Sequence, residues 1–330
     1  MTLYKTLNIS RLHCPIEYSH EELFFSLVDY RNNYFTSDDP NKIIEFYNSF
    51  ENRDQLIHWM KERPKGTANI HEVEGDKEII VVIPTADFNG KYAMECRENI
   101  FKGLHMVFVE SGGKEDFYFN YAHNCNVGIK KAMEYDPKWI VVSNDDMRMI
   151  DPPSVLRTEI MRHSENSEYV LFCSIESSYH SKFVYLSPRT LRRQIILSLS
   201  GGLNKIKLEL EKKFMVNFVF GVNSGVHSLI TKTIVSFKYT GSFAAFSRVL
   251  FELNPELLFD EIYINGIEDI DMSWRILMEK SKINYINYQI GDILGGTIGP
   301  WNRKRRFRDL INFCYMNYKI SLNELKIYNV

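Results

Sequence analysis

The residues of this 330-residue chain best equipped for chemistry lie in two acidic clusters. The first is Asn144-Asp145-Asp146, which closes the apolar run at 139–142. Adjacent carboxylates raise each other's pKa unless a cation neutralises them. Their hard oxygens suit Mg2+ or Mn2+, which take few protein carboxylates and complete their shells with water and substrate phosphates. A metal at this point would bind a diphosphate and stabilise its departure. Taken alone, the same three residues also fit a solvated acidic turn. The second cluster is Glu268, Asp269 and Asp271, in the stretch INGIEDIDMSWRI. Acids in a first helical turn complement the dipole, which is a purely structural use for them. Asp260 and Glu261 add to the density, however, beside Phe259, Ile262, Tyr263 and Ile264. A carboxylate in such a partly apolar setting can serve as general base for a hydroxyl group.

The elements that must position these clusters form an α/β pattern. EIIVVIPT, HMVFVESGG and KWIVVSNDD are short, β-branched, continuously apolar runs, as expected for strands buried on both faces. Helical stretches at about 92–102 and through FNYAHNCNVGIKKAMEY separate them, which predicts parallel strands with right-handed crossovers. Ligands bind outside the carboxyl ends of such strands. Those ends carry Thr85-Ala86-Asp87, Glu110-Ser111-Gly112-Gly113 and Asn144-Asp145-Asp146, three polar tips that predict one site. Beyond a helix start at Asp151-Pro152 the order is more mixed. YVLFCSIES, KFVYLS and INYINYQI read as strands, PRTLRRQIILSL and EDIDMSWRILMEK as helices, and FMVNFVFGVNSGV as strand material broken by glycine.

Residues 1–76 read as a polar helical extension, with Ser19 and Glu22 as a capping box and Asp39-Pro40 as a cap and first-turn proline. They carry no catalytic pattern and suit an extension or an oligomerisation element. Residues 77–300 form the α/β domain, and 301–330 a helical tail that begins with the basic run at 303–308. That run fits a solvated helix face or a contact to lipid or nucleotide phosphates, giving peripheral membrane contact. Phe307, Leu310, Ile311, Phe313 and Cys314 give the tail an apolar side, which either packs on the domain or dips into a membrane surface.

Forty basic against 42 acidic residues leave a net charge of −2, which supplies no global field for nucleic acid. Five scattered cysteines without a C-x-x-C pair argue against a disulfide framework and favour a reducing compartment. The first residues have no signal-length apolar core, and no run of about 20 apolar residues occurs, so a cytoplasmic protein is expected.

Together these residues bear a family likeness. Residues 79–300 resemble the family 2 glycosyltransferases of the GT-A fold, whose Rossmann-like, mostly parallel sheet is flanked by helices. IIVVIPTADFNG resembles the family's first strand. VFVESGG resembles its second-strand acidic motif, with Glu110 in the place of the acid that reads base or ribose. AHNCNVGIKKA is similar to the A-R-N-x-G-I helix at Ala122, Asn126, Gly128 and Ile129. VVSNDDM resembles the D-x-D metal motif in an N-x-D form, and FDEIYINGIEDIDMSWRI the segment whose E-D pair holds the catalytic base.

The resemblance implies an inverting transfer of one sugar from a nucleotide-diphospho-sugar to a glycan, lipid-linked or protein acceptor. It implies Asp269 as base, with Glu268 next, and Mn2+ or Mg2+ on Asp146. Thr85, Ala86, Asp87, Glu110, Asn126, Asn144 and Asp145 would meet the donor. Gly241, Ser242, the stretch FGVNSG (220–225) and Asp271 would meet the acceptor. There are departures. Cys125 replaces the arginine of A-R-N, and no histidine follows His227, so Asp292 is the candidate for the family's late metal ligand. The Q-x-x-R-W motif of processive synthases is absent. Two other readings compete: a sugar-phosphate nucleotidyltransferase, for which TADFNGKYAMECR offers few phosphate-binding residues, and a noncatalytic glycan- or partner-binding protein on a degenerate transferase fold.

Overall fold

The chain's apolar runs assemble into one eight-stranded sheet in the order β1-β3-β2-β4-β7-β6-β8-β5, flanked by helices. The computed structural model describes residues 30–112, 116–165, 168–176, 195, 199, 201–216, 241–255, 258–278, 283–293 and 303–322. The strands are β1 (Asn69–Val73), β2 (Asp76–Thr85), β3 (Leu104–Glu110), β4 (Trp139–Ser143), β5 (Met147–Met149), β6 (Val170–Ile175), β7 (Phe243–Ser247) and β8 (Ile283–Asp292). The helices are α1 (residues 30–36), α2 (Pro40–Asn48), α3 (Arg53–Glu62), α4 (Lys91–Glu95), α5 (Tyr121–Met133), α6 (Pro153–Met161), α7 (Gly202–Lys213), α8 (Arg248–Leu253), α9 (Glu268–Met278) and α10 (Arg303–Ser321). One turn of π-helix, Cys96–Ile100, prolongs α4.

The parallel centre forms as expected. β2 lies between β3 and β4 and pairs parallel with both, and residues 79–85 are buried on either face. α5 covers one face through Ala122, Cys125 and Ile129. Gly128 lets it approach, because a Cβ there would stand 2.3 Å from Val82 Cγ1 and 3.0 Å from Val109 Cγ2. α4, the π turn and α6 cover the other face with Ala93, Cys96, Leu156 and Ile160.

The sheet as a whole is mixed rather than mostly parallel. Of its seven strand pairings among the described residues, three are parallel and four antiparallel. β7 is the reason, since it inserts between β4 and β6 and runs against both. β1 is a second difference, for it lies within the stretch read as helical. All five of its residues are at least partly exposed, so it carries no apolar run to announce a strand.

A third core joins α2 and α3 to α9 and α10. Ile43, Phe46, Leu56 and Met60 of α2 and α3 are buried with Trp274 of α9 and Phe307, Leu310 and Ile311 of α10. The apolar side of the tail helix thus packs on its own chain. Asp39 caps α2 as expected, accepting from Asn41 N–H at 2.9 Å. Within the basic run, Arg308 donates to the carbonyls of Phe35 (2.9 Å) and Ser37 (3.1 Å) at the end of α1. The side chains of 303–306, like Ser19 and Glu22, KFVYLS, most of PRTLRRQIILSL and FGVNSG, lie outside the described residues. Among the described residues, no helix is long and apolar enough to cross a membrane.

Candidate functional site

At the strand tips, Thr85 Oγ1 donates to Asp145 Oδ2 at 2.7 Å, tying the end of β2 to the acidic turn after β4. The Asp145 backbone carbonyl accepts from Cys96 Sγ at 3.3 Å. Asn144 N–H donates to Ser242 O at 2.9 Å, so the turn also holds the start of β7. Asp145 and Asp146 are 5% and 7% exposed, which rules out the solvated acidic turn. Asp87 stays at the surface, where its Oδ1 accepts from Asn89 N–H at 2.9 Å, and Ala86 beside it is half-buried.

Glu110 does not stand free at its strand tip. Its Oε1 accepts from Phe88 N–H at 2.9 Å and its Oε2 lies 2.8 Å from His71 Nε2. The Phe88 hydrogen bond, helped by His71, holds this carboxyl below the usual range. The His71 ring stacks on Phe88, nearly parallel at 4.5 Å between centroids, and the Arg97 guanidinium lies over the Phe88 ring at 4.5 Å. Glu110 therefore anchors the loop after β2 against β1.

The acidic helix α9 begins after a loop, 258–267, that is pinned on every side. Buried backbone groups outside regular structure need partners, and here side-chain amides supply them. Asn126 spends its whole amide: Nδ2 donates to Phe259 O and Glu261 Oε1, both at 2.8 Å, and Oδ1 accepts from Phe259 N–H at 2.9 Å. These bonds, from a residue expected to meet the donor, order the loop. Asn120 donates to the carbonyls of Glu261 and Tyr263, and Asn312 of α10 bonds both backbone groups of Ile264. His123 Nδ1 lies 2.9 Å from Glu261 Oε2, a satisfied helix histidine. The turn into α9 carries strain, with Asn265 at φ 51 and Ile267 at φ 75. A β-branched residue in that region is an outlier that its surroundings must enforce.

The three acids of α9 separate by environment. Asp271 is fully buried and ion-paired: Oδ1 accepts from Lys319 Nζ at 2.7 Å and Tyr263 Oη at 3.1 Å, and Oδ2 from Arg275 Nε at 2.8 Å. Both of its oxygens are engaged within the chain, which is a structural use for a residue expected to meet the acceptor. Lys319 also binds Asp260 at 2.8 Å, so the end of α10 clamps the loop to the helix. Although burial pushes the Asp260 carboxyl up, Lys319 pulls it below its ordinary range. Glu268 is 6% exposed and bonded to Gly266 N–H, and burial together with the Asp269 charge pushes it up to about 8. Asp269 is only half-buried, and desolvation lifts it to about 6. It lines a recess of about 20 Å³ with Val142, Phe172, Gly241, Ala244, Phe246, Phe259, Met272 and Ser273. That is room for a water-sized group.

Tyr121, the first residue of α5, lies where the two clusters meet. Its hydroxyl donates to Asn144 Oδ1 at 2.8 Å, and the charges of Glu268 and Asp269 act on it. Sequence reasoning missed Tyr121, Asn120, Asn312 and Lys319. Only Asn120 left a local signal, as the N-cap of α5 whose Oδ1 accepts from His123 N–H.

For a metal, the donor set is of the right kind. Asp292 is the register partner of Met147, and Ile293 N–H donates to Asp146 O at 2.9 Å, so Asp146 and Asp292 sit on adjoining chain ends. Burial raises the Asp292 carboxyl, and Ser242 offsets part of the rise. Among the described residues, no group of three or more His, Cys, Asp or Glu is arranged to hold a metal ion. The oxygens present fit an ion that draws further ligands from a bound phosphate and water. No protein-family model matches the chain, and no curated protein matches it.

Proposed function

We propose that this protein is a metal-dependent inverting glycosyltransferase of the GT-A kind, moving one sugar from a nucleotide-diphospho-sugar to a hydroxyl acceptor. The observation that carries this reading is the meeting of the two clusters at Tyr121, with half-buried Asp269 beside the recess under the strand tips. A base with a pKa of about 6 is ionised at neutral pH and still basic enough to take a proton in the transition state. Asp269 would accept the acceptor hydroxyl's proton as that oxygen attacks the anomeric carbon. The nucleoside diphosphate would leave from the opposite face, so a single displacement inverts the centre. Mn2+ or Mg2+, held by Asp146 with Asp292 on the adjoining strand end, would supply positive charge to the departing diphosphate. Thr85 and Asp145 would shape the diphosphate side, and Gly241 and Ser242 the acceptor side. The reading carries with it a cytoplasmic location with peripheral membrane contact, and a glycan, lipid-linked or protein acceptor.

Thermal unfolding against UDP-, GDP-, dTDP- and CMP-sugars, with and without Mn2+, tests this reading. A ligand at a hundred times its dissociation constant stabilises by about 2.7 kcal/mol. A shift with one nucleotide class that needs Mn2+ and disappears in Asp146→Ala supports the transferase. No shift with any of them removes it and leaves a noncatalytic binding protein.

A further inference from the structure

We propose that Tyr121 is a positioning residue that presents the side-chain NH2 of Asn144 to an oxygen-rich ligand, the phosphate or sugar oxygens of the donor. The inference rests on the transferase reading. Besides a side-chain hydrogen bond with Cys125, three contacts fix Tyr121. Its N–H donates to Asn265 Oδ1 at 2.9 Å, which anchors it to the turn before α9. Its ring stands edge-on to Phe259 at 6.4 Å. Its hydroxyl donates to Asn144 Oδ1 at 2.8 Å. The Asn144 backbone is itself fixed through Ser242 O, so the side-chain amide is the remaining freedom at this tip.

A primary amide has one acceptor end and one donor end. With Oδ1 turned to the tyrosine, Nδ2 takes the other side of the group, and Asn144 is only half-buried. An NH2 recognises oxygen acceptors and repels cations. Anion and metal recognition are thereby divided between Asn144 and the carboxylates that follow it. Burial, then the charge of Cys125 and a hydrogen bond with it, then the Glu268 and Asp269 charges push the Tyr121 hydroxyl well above its ordinary pKa, so it stays protonated throughout the neutral range. Without that hydroxyl Oδ1 loses the partner that holds it toward α5, and the carbonyl would face an anionic ligand part of the time.

The test is a double-mutant cycle on the full chain: Tyr121→Phe, Asn144→Ala and both together. Calorimetric titration would use UDP-glucose, GDP-mannose, dTDP-glucose and CMP-sialic acid, each with Mn2+. For the nucleotide sugar that the wild type binds, Tyr121→Phe should weaken binding about fivefold, the worth of one hydrogen bond. The unfolding midpoint without ligand should not change, because the ring contacts remain and water can replace the hydroxyl at half-buried Asn144. In the double variant the Tyr121 effect should vanish, because it acts through Asn144. Wild-type affinity in Tyr121→Phe, or losses that add in the double variant, overturns the positioning role and leaves the transferase reading standing. A wild type that binds none of the four probes removes both.

Discussion

Glu268→Gln isolates the buried acid beside the proposed base. Glutamine keeps an oxygen for Gly266 N–H and is neutral, as the protonated acid is. Wild-type Glu268 has its pKa raised by burial, then by Asp269, from 4.5 to about 8. A carboxyl raised on folding contributes stability that is fully present below its unfolded pKa and is lost as pH rises through the folded one. Between about pH 5 and pH 8 that loss is on the order of 3–4 kcal/mol from this residue. The side chain is 6% exposed, so solvent screening takes little from it. Urea unfolding of wild type and variant across this range is the assay. The variant should gain on the wild type by about 1.4 kcal/mol per pH unit until the titration nears completion. Parallel curves would refute the argument, because Glu268 would then titrate alike in both states.

Asp269→Asn should leave the fold intact and lower turnover by about 10²–10⁴-fold, measured with the donor that the wild type binds. In the wild type, turnover should fall about tenfold per pH unit below the Asp269 pKa of about 6, a limb that the pH profile would lack if another group were the base. Lys319→Met leaves buried Asp271 and half-buried Asp260 without their shared cation, and should cost about 3–5 kcal/mol in denaturant unfolding. Gly128→Val forces side-chain carbon onto Val82 and Val109 and should cost about 1–3 kcal/mol, read from the thermal midpoint.

How much could be read in advance followed from how local each cause is. β2, β3 and β4 were legible because a strand buried on both faces must be apolar throughout. β1 was not, since an edge strand five residues long needs no apolar face. β7 could not be placed by reading along the chain. FAAFS pairs with β4 across about a hundred residues of sequence, and nothing within it specifies antiparallel insertion. At the site, acids in apolar surroundings pointed to Glu268, Asp269 and Asp271 together. What separates them is tertiary. Lys319 and Arg275 claim Asp271, burial keeps Glu268 protonated, and only Asp269 faces a recess.

The turn before α9 explains why so many amides are spent there. Asn265 and Ile267 hold left-handed backbone, and such conformations cost about 1–3 kcal/mol each when a side chain is present. A glycine at 267 would remove that cost, but also a side chain buried with Tyr263 and Trp274. Asn120, Asn312 and Lys319 offset the strain from three directions, from α5 and from both middle and end of α10. The orientation of the first turn of α9 is therefore imposed by its neighbours rather than by its own helix propensity. Loosening the Asn120 or Asn312 clamp should alter where Asp269 points before it alters whether the chain folds. That behaviour would suit the proposed base, whose geometry would matter more than the stability of its helix.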